Sequence, residues 1–162
     1  MSEYIPAQLR RLVLVRAANI CEYCRAQAMY SSDPITVDHI IAQSLGGITT
    51  ENNLACSCFG CNQHKAIRVI REASGIEDDE TNCNQHKAIR VMALDPTTGL
   101  RVPLFHPRQQ RWEEHFAWNE DFTQMLGITP TGRATIEALQ LNRFGLVNLR
   151  RALHAIGEHP PK

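Results

Sequence analysis

Apolar and polar positions change rhythm several times along this 162-residue chain. β-Branched side chains gather at Ile35-Thr36-Val37 and again at Ile40-Ile41, the composition a pleated strand favours. Gly46-Gly47 marks a turn, and Glu51-Asn52-Asn53-Leu54 leads back into an ordered element. From Asn62 to Arg71 the spacing becomes helical, with Ala66, Ile67 and Ile70 recurring along it. The pattern over residues 35–71 therefore predicts a strand, a long loop, a second strand and a helix.

The second half is punctuated differently. Asp95-Pro96-Thr97-Thr98-Gly99 predicts a turn between short strands, with Leu100 to Leu104 on its far side. Thr129-Pro130 supplies a cap and a proline at a helix start. Leu146, Leu149, Leu153 and Ile156 follow helical spacing, so a terminal helix should pack that face inward. Trp112, Phe116 and Trp118 read as core, with stacking on nucleobases as the alternative. The tail from His159 to Lys162 is expected to be loose.

One pattern is exact. CNQHKAIRV occurs at 61–69 and again at 83–91. Two copies do not build a solenoid, because stacked repeats need about three units to bury a continuous core. The acids Glu77, Asp78, Asp79 and Glu80 fall in the stretch 73–82, which holds no base. The chain carries 17 bases and 17 acids in all, so its remainder is mildly basic. That balance permits a polyanionic partner without requiring one. No apolar run approaches the roughly 20 residues needed to span a bilayer, so no membrane partner is expected. The opening MSEYIPAQLRR lacks the apolar core of a signal peptide, and a cytoplasmic protein is the expectation.

With no export signal, the six cysteines read as metal ligands or reduced thiols. Cys21-Glu22-Tyr23-Cys24 and Cys58-Phe59-Gly60-Cys61 are two C-x2-C knuckles. Two such knuckles complete a four-sulfur shell for zinc, and a closed shell makes that zinc structural. Cys56 and Cys83 are left over. Cys61 has Cys58 three residues before it, whereas Cys83 has Glu80 there, so only the first copy of the repeat completes a knuckle.

Between the knuckles lie groups suited to phosphodiester hydrolysis. Asp38 is a hard oxygen ligand, and Asn62 can offer an amide oxygen to the same magnesium-class ion. His39 has the side chain best suited to taking a proton from water near neutral pH. Lys65, three residues after Asn62, shares its helix face and could steady a phosphate oxygen. Adjacent strand residues point to opposite faces, so Asp38 and His39 can share a site only if the backbone twists or ends there.

The string C-x2-C, V-D-H-I-I, G-G, E-N-N-L, C-x2-C-N-x2-K resembles the HNH, or ββα-metal, endonuclease family in its zinc-stapled form. The resemblance implies an α+β fold: a ββα-metal core stapled by a four-cysteine zinc site, with flanking helices and a C-terminal hairpin plus two helices. It makes His39 the general base, and Asp38 with Asn62 the ligands of one catalytic Mg2+ or Mn2+. Asn53 becomes the asparagine that holds the base-orienting loop. Cys21, Cys24, Cys58 and Cys61 become the ligands of structural Zn2+. Asn62 stands where many members have histidine, as in the nuclease domains of CRISPR effector proteins. The resemblance extends to a helix over Ala7 to Ala18 and to the C-terminal half. It implies a nucleic-acid substrate, DNA by family habit, with Arg68, Arg108 and Arg111 as candidate contacts.

Small members of the family run directly from the C-N-x2-K helix into the L-D-P-x2-G hairpin. Residues near 62–83 therefore read as an in-frame duplication, with Asn84 and Lys87 outside the site. The rival is register exchange, in which Cys83 and Asn84 replace Cys61 and Asn62. The organisation expected is residues 1–92 for the first helix, knuckles and core, and residues 93–162 for a hairpin and helical extension of the same domain. Two functions stay open: a metal-dependent endonuclease, or a zinc-dependent nucleic-acid-binding module without catalysis.

Overall fold

The computed structural model describes residues 4–67 and 91–162. The repeat's second copy, apart from Val91, lies outside the described residues, as do Arg68 and the last turn of the helix expected to reach Arg71. Helix α1 (Ala7–Arg16) opens the described chain. Strand β1 (Ile35–His39) pairs antiparallel with β2 (Leu54–Cys58), Ile35 opposite Cys58 and His39 opposite Leu54. Helix α2 (Phe59–Ile67) follows β2 without a connecting loop. This is the expected strand, loop, strand, helix order, with one change: β1 ends at His39, and Ile40-Ile41 bend out of it.

The β1–β2 pair is covered on both sides. Val13 of α1 packs with Ile5, Val37, Leu54 and Cys56. Ala55, next along β2, turns instead into the main core with Tyr23, Cys24, Ile40 and Cys58. That alternation follows the pleat, and it leaves every β2 residue buried. Arg16, the last residue of α1, donates to the Leu54 carbonyl at 2.9 Å and pairs with Glu51 at 3.2 Å, fixing the helix to the start of β2.

Beyond residue 91 the chain forms two short antiparallel pairs and two helices. Strands β3 (Met92–Leu94) and β4 (Arg101–Pro103) flank the expected turn. Asp95, fully buried at that turn, accepts two hydrogen bonds at 2.8 Å from Arg133 and one at 2.8 Å from the Thr98 hydroxyl. The Arg133 guanidinium, above all, holds its carboxyl below the usual carboxylate range. Strands β5 (Phe116–Trp118) and β6 (Met125–Gly127) form a second pair that the sequence did not announce. Helix α3 (Pro130–Leu139) begins at Thr129, whose hydroxyl accepts from the Gly132 amide at 3.0 Å. Helix α4 (Phe144–Ala155) closes the fold.

The main core joins both halves. Cys21, Tyr23, Ala55 and Cys61 meet Phe105, Phe116, Met125, Leu139, Leu141 and Leu146 in one cluster. Trp112 and Trp118 pack against it, with ring centroids 5.4 Å apart, so the aromatics are core as expected. Leu146 and Leu153 turn inward, but Ile156, past the end of α4, is 67% exposed because helical spacing no longer applies there. The tail is not loose. His159 is buried edge-on against Trp118 with centroids 4.6 Å apart, and Gln27 donates to the Glu158 carbonyl at 2.7 Å.

Candidate metal centre and active site

The two knuckles converge. The sulfurs of Cys21, Cys24, Cys58 and Cys61 lie within 4.8 Å of one another, all four residues are buried, and none is in a disulfide. A tetrahedron with metal–sulfur arms of ~2.3 Å has edges of about 3.8 Å. The Cys24 and Cys58 sulfurs are 3.7 Å apart, so the cluster has the dimensions of a four-sulfur metal shell. The donor set is also that of zinc, and the four residues fit it. Local backbone supports the arrangement, because the Cys61 amide points at the Cys58 sulfur, 3.5 Å away. Contacts with the Cys21, Cys24 and Cys61 thiols, and that amide, hold Cys58 well below the usual thiol range.

Further donors come from beyond the knuckles. Arg143, just before α4, points one guanidinium nitrogen at the Cys58 sulfur (3.3 Å) and the other at the Cys61 sulfur (3.7 Å), while pairing with Asp33 at 3.0 Å. Arg150 is buried and donates to the carbonyls of Cys24 (3.2 Å) and Leu141 (2.7 Å). Neither arginine carries a motif signal. Their roles arise only when α4 folds back on the knuckles. The leftover Cys56 is buried between the sheet and α1, where burial pushes its thiol up to about 12.

At the end of β1 the candidate catalytic groups sit close to α2. Asp38 is half-buried, and its carboxylate lies 3.7 Å from the Lys65 ammonium. Lys65 is 5% exposed and donates to the carbonyl of His39, so its ammonium is engaged on the strand end. Burial pulls it down to about 8, against the opposing attraction of Asp38. Asn62 is half-buried one helical turn before Lys65. The His39 ring is buried, with Nε2 2.9 Å from the Thr49 hydroxyl. Pairing runs through His39, and burial alternates along β1, so the pleat directs Asp38 and His39 to opposite sides of a strand that stops there. The two groups flank one strand end.

Asn53 closes the loop between them. Its amide oxygen accepts from the Ile41 amide at 2.9 Å, and its amide nitrogen donates to the carbonyls of Ile41 (2.9 Å) and Ile48 (3.0 Å). Gly47 makes this possible. A Cβ there would lie 1.9 Å from the Ile41 carbonyl oxygen and 2.8 Å from the Asn53 amide nitrogen. The loop holding Thr49, and with it the His39 ring, is thus tied to the sheet by one buried side chain.

Of the candidate nucleic-acid contacts, Arg111 is exposed. Arg108 is turned instead onto the buried Glu22, whose other oxygen accepts from the Cys56 amide at 2.8 Å. Glu22, inside the first knuckle, had no sequence signal beyond its charge. Its partners come from residues 16, 56 and 108, which only folding assembles.

Residues 21–68 match the HNH endonuclease family model. This segment is the HNH region of the chain. It carries the knuckles, both strands of the first pair and α2, with a four-cysteine cluster able to hold a metal ion. No curated protein and no solved structure matches the chain. Among the described residues no helix is long and apolar enough to cross a membrane. The HNH match marks a region of nuclease or nucleic-acid-binding type with a metal site.

Proposed function

We propose that the protein is a metal-dependent endonuclease that hydrolyses phosphodiester bonds in nucleic acid, with DNA as the substrate. The observation that carries this reading is the end of β1, where Asp38 and His39 flank one strand terminus against α2 inside the four-cysteine frame. Because the pleat sends the two side chains to opposite sides, a phosphate would have to reach past the strand end to meet both. His39 is the general base: with Nε2 on Thr49, Nδ1 takes the proton from the attacking water. Asp38 and Asn62 would hold a hard Mg2+ or Mn2+ ion, one carboxylate and one amide oxygen being a donor set such ions accept alongside water. Bound there, that ion would stabilise charge on the scissile phosphate and the leaving oxygen. Lys65 fixes the Asp38 carboxylate and the His39 backbone in the same place. Asn53 keeps the loop and Thr49 in position behind the base. Zn2+ in the cysteine cluster is structural, and its reduced thiols suit a cytoplasmic protein. Residues 1–92 and 93–162 act as one folding unit, which the shared core supports.

The test is cleavage of single- and double-stranded DNA and RNA with Mg2+ or Mn2+. His39→Ala should lower the rate by about 10²–10⁴-fold while leaving circular dichroism unchanged. Cleavage that survives this substitution in a pure preparation refutes the assignment. The second reading, a binding module without catalysis, is favoured by one feature: the Asp38 carboxylate already has a cationic neighbour in Lys65. Retarded DNA on a gel, with no cleavage in either metal, decides for it.

A further inference from the structure

Arg143 lies far outside the segment that matches the HNH family, yet it touches two of the four clustered sulfurs. A zinc ion with four thiolates carries a net charge of about −2, buried here among apolar side chains. Such a centre needs donors and compensating charge around it. The Cys61 amide supplies one donor. Arg143 supplies two more along with a full positive charge, and Asp33 holds its guanidinium in place at 3.0 Å. The knuckle is shaped around this group. A Cβ on Gly60, between Cys58 and Cys61, would lie 2.5 Å from Arg143 Nη2, 2.8 Å from its Cζ and 2.9 Å from the Asp33 carboxylate.

We propose that Arg143 is a positioning residue of the cysteine metal centre: it lowers the electron density on the Cys58 and Cys61 sulfurs and tightens zinc binding, so that the C-terminal extension completes a site whose ligands all lie in the HNH region. The inference rests on the four cysteines binding zinc, and it is independent of whether the protein cleaves nucleic acid. It also assigns Gly60 a purpose, since any larger residue there would push the guanidinium off the sulfurs.

The experiment uses the full chain, loaded with Zn2+ or Co2+ alone. Zinc affinity is measured by competition with a chromophoric chelator, and the sulfur-to-cobalt charge-transfer band is recorded on the Co2+ form. Arg143→Met should weaken zinc binding at least about tenfold and move the band to longer wavelength, because sulfurs relieved of N–H donors give up electrons more readily. Arg143→Lys should recover part of both changes. Gly60→Ala, which keeps the charge and displaces it, should shift the band in the same direction, and it serves if Arg143→Met does not fold. Affinity within twofold of the parent together with an unmoved band, in a folded Arg143→Met or in Gly60→Ala, overturns the proposal. A parent chain that binds neither metal overturns it too, and with it the zinc reading, without bearing on the nuclease assay.

Discussion

The HNH region and the C-terminal extension meet in one core but bring different materials to it. Between residues 21 and 65 the buried positions include Glu22, His39, Asn53, Ser57, Lys65 and four clustered cysteines. From residue 105 onward the large buried apolar side chains are Phe105, Phe116, Met125, Leu139, Leu141, Leu146 and Leu153, with Thr123, Thr135, Arg150 and His159 buried among them. The first strand pair mixes small apolar side chains with sulfur and polar groups, so its order leans on hydrogen bonds as well as on apolar burial. The extension buries more large apolar side chains, and adds to that packing the buried contacts of Asp95 with Arg133 and of Arg150 with the carbonyls of Cys24 and Leu141. The contrast shows how the work is divided: buried polar groups supply little hydrophobic stabilisation, and the shared core with the extension supplies more of it.

The largest effect that would sharpen this comparison is removal of the cluster. Cys58→Ser, or exhaustive chelation, should abolish the cooperative melt of the chain, since structural zinc contributes on the order of 10 kcal/mol to folding in small zinc modules. A thermal midpoint unmoved by chelation, followed by circular dichroism, would break the comparison at its base. Next in size is Phe116→Ala, which truncates a fully buried ring in the extension. It should cost about 3–5 kcal/mol in a denaturant titration while leaving the zinc stoichiometry intact.

The smallest effect concerns Lys65. Folded, it releases its proton near pH 8 because it is buried, whereas a free lysine does so near 10.4. Between those values the unfolded chain binds more protons, so the Lys65 contribution makes stability rise with pH across that window. Lys65→Met should flatten that rise. Denaturation midpoints at pH 7.5, 9 and 10.5 read it directly, and an identical slope in both proteins would show that the ammonium is not paying for burial.

Much of the HNH region was legible because its chemistry is local. The two knuckles and the Asp38-His39 pair announce themselves by residue type and spacing, and Asn53 by the family resemblance. Folding brings Asp38, His39 and Asn53 to one end of the first strand pair and the knuckles to the other. The orientation of Lys65 was not legible. Helical spacing placed it beside Asn62 but could not tell that burial would turn its ammonium onto Asp38 and the His39 carbonyl rather than toward a phosphate. Arg108 was misleading for the same reason, as its partner Glu22 is 86 residues away in sequence. Strands β5 and β6 went unread because three-residue strands are too short to show alternation. The tail, written with prolines and a lysine, looked unattached until His159 met Trp118.

The amide clamp of Asn53 governs how the segment joining the first two strands can move. Because it grips the Ile41 backbone through both its oxygen and its nitrogen, this segment cannot swing aside like a hinged cover while the sheet stays shut. Amide exchange at Ile41 should then be as slow as in the strands themselves.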